Sequence, residues 1–282
     1  MNCAMRRFLF IAIVLVAAPF GAAVVARARG QQNQGPMALP PTYEVKRIPS
    51  VPHPGPPPIP QDEIIRKFAA NEDVMKKTYE TYDFTQTLRI EELEDSGGQL
   101  TAAGDVYTLP DGKRVWHVAT PIASTLKATP YSLVEVRTMA TLPLFVLTSD
   151  EIANYNFLYA GQDKLDELNT YVFQVKPKQL SRTRRFFEGV IWVDDHDFAI
   201  VRSYGKFVGD YQTERDALPF KMFETYRENF QEKYWLPTYT TSDDYVDQPP
   251  DAQLHLRLII RATGFKLQPA SPPPPPNPTP AN

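Results

Sequence analysis

Residues 82–91 read Tyr-Asp-Phe-Thr-Gln-Thr-Leu-Arg-Ile-Glu. Tyr82, Phe84, Gln86, Leu88 and Ile90 alternate with Asp83, Thr85, Thr87, Arg89 and Glu91. A period of two places the two sets on opposite faces of an extended chain, so the stretch predicts a half-buried β-strand. Strand character returns around residues 155–162, 168–176, 184–193, 198–207, 220–230, 233–246 and 252–265. In the last of these, Leu254, Leu256, Leu258 and Ile260 share one face. Asp95 to Gly98 predicts a turn. Asp111-Gly112 predicts a hairpin between strands around 103–109 and 113–119. Many strands at short spacing, joined by tight turns, mean an antiparallel sheet, and a sheet this large must curl or split.

Helical signals are few. Ile64, Ile65 and Phe68 fall at helical spacing in a short helix over 62–70, with Asp62 and Glu63 near its N-terminus to suit the dipole. Asn71 predicts the cap of a second short helix reaching about Tyr79. One further helix is expected around 149–154, capped by Ser149. The globular part is read as residues 61–268.

Both flanks differ in composition. Of the 28 prolines, ten lie in residues 36–60 and eight in 269–280. Residues 29–60 therefore read as a Pro-rich disordered linker, and 269–282 as a Pro-rich disordered tail. Either flank can serve as a spacer from a membrane or as a docking ligand, or be an ordinary disordered end. Arg6 and Arg7 precede Phe8 to Ala26, an uncharged run of 19 residues, and Ala26-Arg27-Ala28 offers a cleavage site. Residues 1–28 read as a signal peptide for export to the periplasm. The alternative is an uncleaved segment anchoring the protein to the inner membrane.

Across all 282 residues Lys+Arg is 30 and Asp+Glu is 33, a net charge of -3. Cleavage after Ala28 would make it -6. Neither value suits a nucleic-acid binder, which normally carries a basic field. Hydrophobic residues are 43% and aromatics 12%, enough for a packed core. The one cysteine, Cys3, excludes an intrachain disulfide and a Cys-based zinc site.

Catalytic motifs are not found. His53, His117, His196 and His255 show no H-x-x-x-H or H-E-x-x-H spacing. There is no G-x-S-x-G elbow, P-loop or Rossmann glycine run. Asp194-Asp195-His196-Asp197 has the residue types of a metal site. It lies between Val190–Val193 and Phe198–Val201, so it reads as a polar hairpin turn. Arg182, Arg184 and Arg185 form a small basic cluster, read as a solvated strand or as a seat for a phosphate head group or acidic partner. No enzyme activity, cofactor or metal is expected.

Three further stretches carry a recurring pattern. They are Thr170-Tyr171-Val172-Phe173-Gln174-Val175-Lys176-Pro177, Phe187-Glu188-Gly189-Val190-Ile191-Trp192-Val193-Asp194 and Phe198-Ala199-Ile200-Val201-Arg202. With Tyr155–Asp166, Phe223–Glu228 and Tyr234-Trp235-Leu236-Pro237-Thr238, this pattern resembles the outer-membrane lipoprotein-sorting (LolA-like) proteins over about residues 61–265. The resemblance implies a curved, unclosed antiparallel β-barrel, mainly β, with a few short helices as a lid. It also implies a non-catalytic periplasmic protein whose apolar cavity holds acyl chains of lipids or lipoproteins.

The lipid-lining residues expected on the sheet are Phe84, Leu88, Trp116, Tyr171, Phe173, Phe187, Ile191, Leu256 and Leu258. Leu144 and Phe145 are expected to line from a lid over 139–154, although that segment also reads as a buried strand or loop. Transient membrane contact would follow from carriage. The alternative function is a non-catalytic envelope protein-interaction or stress-sensing module with a filled interior and a protein partner.

Overall fold

The computed structural model of the protein describes residues 52–94, 97–109, 111, 113–119, 121–127, 130–141, 147–210, 220–248 and 252–268. The segments read as signal and tail lie outside these residues, as does most of the linker. Helix α1 (Gln61–Glu80) comes first. Strands β1 (Tyr82–Glu92), β2 (Gln99–Thr108), β3 (Arg114–Val118) and β4 (Ala123–Ser124) follow. Helix α2 (Leu133–Thr141) and a 3-10 turn (Ile152–Asn154) precede the second group of strands. These are β5 (Tyr155–Leu165), β6 (Leu168–Pro177), β7 (Phe186–Asp194), β8 (Ile200–Val208), β9 (Phe223–Phe230), β10 (Tyr234–Gln248) and β11 (Ala252–Leu267).

All eleven strands join one sheet in the order β3-β2-β1-β11-β10-β9-β8-β7-β6-β5, with β4 also paired to β2. The strand ladders are antiparallel, and the sheet is not closed into a barrel. The mainly β, unclosed fold expected from the sequence is therefore the observed one. Strands β5 to β11 form a simple meander, and β11 then zips onto β1 from Glu92↔Leu256 to Tyr82↔Leu267. The opening stretch behaves as its period requires: Tyr82, Phe84, Gln86, Leu88, Ile90 and Glu92 are all buried on one face.

Two helical expectations change. The pair of short helices is one continuous helix, because nothing between 61 and 80 breaks it and Asn71 does not cap. The Asn71 side chain instead donates to the carbonyls of Asp197 (2.6 Å) and Phe198 (3.0 Å). Helix α2 was not expected. It is opened by a capping box in which the Ser132 N–H and hydroxyl both donate to Glu135 (2.8 and 2.7 Å), while the Glu135 N–H donates to the Ser132 hydroxyl. The helix expected at 149–154 is reduced to the 3-10 turn.

The linker boundary also moves. His53 forms a β-bridge with Gln162 on the outer edge of β5, with backbone bonds of 2.7 and 3.1 Å. Gly161 permits this approach: its φ is +131°, and a Cβ there would lie 2.3 Å from the His53 carbonyl oxygen. Residues 52–60 are thus placed in the structure, and Pro60 leads directly into α1.

Both helices lie on one face of the sheet, here the inner face. Met75 and Tyr79 of α1 join Val136, Met139 and Ala140 of α2 and residues of β1, β2, β3, β9, β10 and β11 in a first apolar cluster. Ile64, Phe68 and Ala69 of α1 join residues of β5 to β8 in a second. A small third cluster of Val172, Trp192 and Val201 is packed by Val190 and Trp235.

Candidate functional site

Helix α1 presents Ile64, Phe68, Glu72, Met75 and Tyr79 as its buried stripe, at spacings of four, four, three and four. Such a stripe normally faces a core and is apolar throughout. Here a glutamate interrupts it, between Phe68 of the second cluster and Met75 of the first. Glu72 is 1% exposed, and it meets Arg227 of β9, which is 4% exposed. The guanidinium donates to both carboxylate oxygens, Nη1 to Oε1 and Nη2 to Oε2 at 3.0 Å. The Leu147 backbone N–H also donates to Oε2 (3.3 Å). Arg227 is the only cationic side chain among the buried described residues.

The neighbours of Glu72 are tied down as well. Asn71 holds the β7–β8 turn, as described above. Asp73 accepts from the Ser149 hydroxyl (2.6 Å) and the Ser149 N–H (3.2 Å). Three successive residues in the middle of α1 thus reach three separate parts of the chain through polar groups. On either side of them, the hold of α1 on the sheet is chiefly apolar.

The expected lining residues divide between the two clusters. Phe84, Leu88, Trp116, Leu256 and Leu258 belong to the first. Tyr171, Phe173, Phe187 and Ile191 belong to the second. Each is at most 7% exposed. Leu144 and Phe145 lie outside the described residues. An aromatic path joins the clusters: Phe187 packs edge-on to Phe207 (6.2 Å), and Phe207 edge-on to Phe223 (5.8 Å). Gly189 and Gly205, paired across β7 and β8, clear room for it. A Cβ at either position would come within 2.8 Å of the Phe187 ring.

The inner face is therefore mainly apolar, and its two clusters meet along this path. One cavity of about 30 Å³ is lined by residues including Tyr79, Gln86, Ala140, Pro237, Thr240 and Ile260. That holds about one water molecule, whereas ligand pockets run to roughly 300–1,000 Å³. Pro237 and Thr240 pair across the ladder with Arg227 and Thr225. Several polar groups are buried here. Thr225 and Thr240 share a hydrogen bond of 2.9 Å. Trp116 Nε1, Tyr131 Oη and Ser242 Oγ have no hydrogen-bond partner among the described residues. Burial pushes the Tyr131 phenol up to about 12, with Glu135 and Glu92 adding to the rise, and burial likewise pushes the Tyr79 phenol up.

The Asp194-Asp195-His196-Asp197 run is a turn, as its sequence suggests. Asp194 Oδ2 accepts the backbone N–H groups of His196 (3.2 Å) and Asp197 (2.6 Å). Asp197 accepts from the Trp235 indole (3.0 Å) and bonds to His196 Nδ1 (2.8 Å). One ligand atom each from Asp194, His196 and Asp197 can lie within 4.8 Å of the others. All three are engaged in shaping the turn that Asn71 grips. Of the arginine cluster, Arg182 pairs with Asp210 and Arg184 with Glu151 at the surface. An open polar cleft of about 300 Å³ lies along β5 and β6, among His53, Gln162, Asp163, Lys164, Asn169 and Asp195.

Sequence reasoning missed Glu72 and Arg227. They are 155 positions apart, so no local motif joins them. One signal was present: a carboxylate on the apolar stripe of a helix needs a buried partner. Among the described residues no helix is long and apolar enough to cross a membrane.

No protein-family model matches the chain, and no curated protein matches it. Among solved structures it is similar to a DUF1329 family protein from Desulfovibrio piger at 10% identity, covering 74% of this chain and 95% of that one, with a TM-score of 0.33. It is similar to a LolA superfamily protein from Nitrosomonas europaea at 10% identity, covering 72% and 95%, with a TM-score of 0.32. It is also similar to MucB, solved in complex with MucA(peri), at 10% identity, covering 72% and 93%, with a TM-score of 0.22. Likeness at this level bears on neither ligand nor partner. The architecture itself rests on the strand ladders above.

Proposed function

We propose that the protein is a non-catalytic periplasmic binder or carrier of lipids or lipidated proteins, and that acyl chains bind between α1 and the inner face of the sheet. The observation that supports this reading most is the way α1 covers an apolar face. A permanently packed helix gains most from an apolar stripe, and an ion pair at its centre is seldom better than well-packed hydrophobic residues. An ion pair has one property that a leucine lacks: when the helix lifts, both charges regain water. The polar centre lowers the free-energy difference between covered and open forms. Each CH₂ of an acyl chain buried on the exposed face then contributes roughly 0.8 kcal/mol. In this reading α1 lifts to admit the chain, since the cavity found beside Tyr79 and Ala140 is only about 30 Å³.

Export by residues 1–28, with cleavage after Ala28, belongs to the same reading and would place the protein in the periplasm. The test is native mass spectrometry with lipid extraction on the protein purified from the periplasm after expression with its own N-terminus. Phospholipid or acylated protein at near-stoichiometric level is the expected result. A ligand-free protein that also ignores fluorescent acyl probes overturns the carrier.

One observation favours the second reading, an envelope protein-interaction or sensing module. The outer edge of β5 already accepts an extended segment through His53 and Gln162. An edge that takes one strand can take another from a partner. Crosslinking that captures an envelope protein at β5, from preparations free of lipid, would favour that module over the carrier.

A further inference from the structure

We propose that Arg227 anchors the head group of a long-chain carboxylate, whose tail lies along the apolar inner face, and that Glu72 fills this anchor while α1 is closed. The inference rests on the carrier reading and names its ligand class. A carboxylate already occupies the seat: the Glu72 side chain is gripped by the guanidinium fork and by the Leu147 N–H. The parallel N–H donors of arginine match the two oxygens of any carboxylate, and charge assistance makes such bonds strong. The seat is built deep in the protein, with Arg227 4% and Glu72 1% exposed.

Its position suits an amphiphile. Glu72 stands on α1 between the two apolar clusters, which the Phe187–Phe207–Phe223 path connects. A head group at Arg227 would have apolar surface on both sides for its chain. Lifting α1 withdraws Glu72 and leaves the guanidinium facing the opened interior. A neutral ester entering there offers the fork no charged, bidentate acceptor in place of the carboxylate it released. A fatty-acid anion restores the pairing. The step is an exchange of one carboxylate for another, with no bond made or broken.

The test uses the purified protein and three 16-carbon probes: palmitate, methyl palmitate and hexadecyl phosphate, each displacing a fluorescent acyl reporter. Wild-type protein is expected to bind palmitate about ten-fold more tightly than the ester, the ratio set by about 1.4 kcal/mol. Glu72→Gln is expected to raise palmitate affinity several-fold, because the competing anion is gone. The double variant Glu72→Leu/Arg227→Met is expected to bind palmitate and ester alike. Should that variant fail to fold, Glu72→Gln alone decides. Equal binding of palmitate and ester by the wild type, or no gain in Glu72→Gln, overturns the anchor. So does a double variant that keeps the preference. Tighter binding of hexadecyl phosphate than of palmitate overturns the carboxylate assignment in favour of phosphate. Failure of every form to bind any probe contradicts the carrier reading itself and not merely its head group.

Discussion

Position 72 shows how one residue can define a helix's role. Its neighbours on the buried stripe of α1 are Phe68 and Met75, and an apolar side chain would suit the site at least as well. Glutamate there needs a cation, and Arg227 supplies it across a bidentate pair. Arg227→Met is therefore expected to lower unfolding stability by about 3–5 kcal/mol, since it leaves Glu72 buried without its cation. Glu72→Leu/Arg227→Met is expected to recover most of that loss. Urea unfolding of the two variants measures both. A single variant as stable as the wild type would show that the pair is not buried as described. At the same scale, Gly189 and Gly205 are defined by what they lack: without side chains they admit the Phe187 ring that begins the aromatic path.

At the scale of elements, the β7–β8 turn does more than reverse the chain. It offers carbonyls to Asn71 and a carboxylate to Trp235, so it links α1 to β10. The hydrogen bond from the Trp235 indole, then that from His196, holds the Asp197 carboxyl below its ordinary value against the opposing effect of burial. A carboxyl lowered in the folded state contributes stability that is complete above its unfolded value, near about 3.9, and lost as pH falls through the folded value. Wild type is expected to exceed Asp197→Asn in stability at neutral pH, with the advantage shrinking below about pH 4. Thermal melts from pH 7 to pH 2 check this, and an advantage unchanged with pH would contradict it. The strands were legible in the sequence because their period of two is nearly unbroken, as over 82–92 and 254–260. The break expected at Asn71 was a misreading: asparagine caps helices, but it also bonds distant carbonyls, and only the fold reveals which. Helix α2 has a start signal in the three-residue spacing of Ser132 and Glu135, but its nine residues are too few for a clear apolar period. The nine strand residues expected to line a cavity were legible as buried apolar positions. That they divide into two clusters, with an ion pair on α1 between them, depends on pairings more than a hundred residues apart.

On the scale of the whole molecule, the sheet is open and its interior is closed by helices. Strands β3 and β5 end the main strand order without meeting, and α1 and α2 cover the inner face in place of further pairing. A closed barrel would have to break a ladder to admit a chain. Here no ladder need break: among the described residues the contacts of α1 that would part include the apolar stripe, the Arg227 pair, the links of Asn71 and Asp73, the Gln61 amide on the Phe157 carbonyl and the Arg114 guanidinium on the Glu80 carbonyl. The central claim is that ligand enters beneath α1, and tying that helix down tests it most directly. Asp73 and Ser149 are in hydrogen-bond contact, with 2.6 Å between their side-chain oxygens. In a Cys3→Ser background, Asp73→Cys and Ser149→Cys can be joined by a short cleavable thiol bridge and titrated with a fluorescent acyl probe. The bridged protein is expected to lose binding, and cutting the bridge to restore it. Binding that is equally tight with the bridge intact would place the ligand elsewhere and contradict the account.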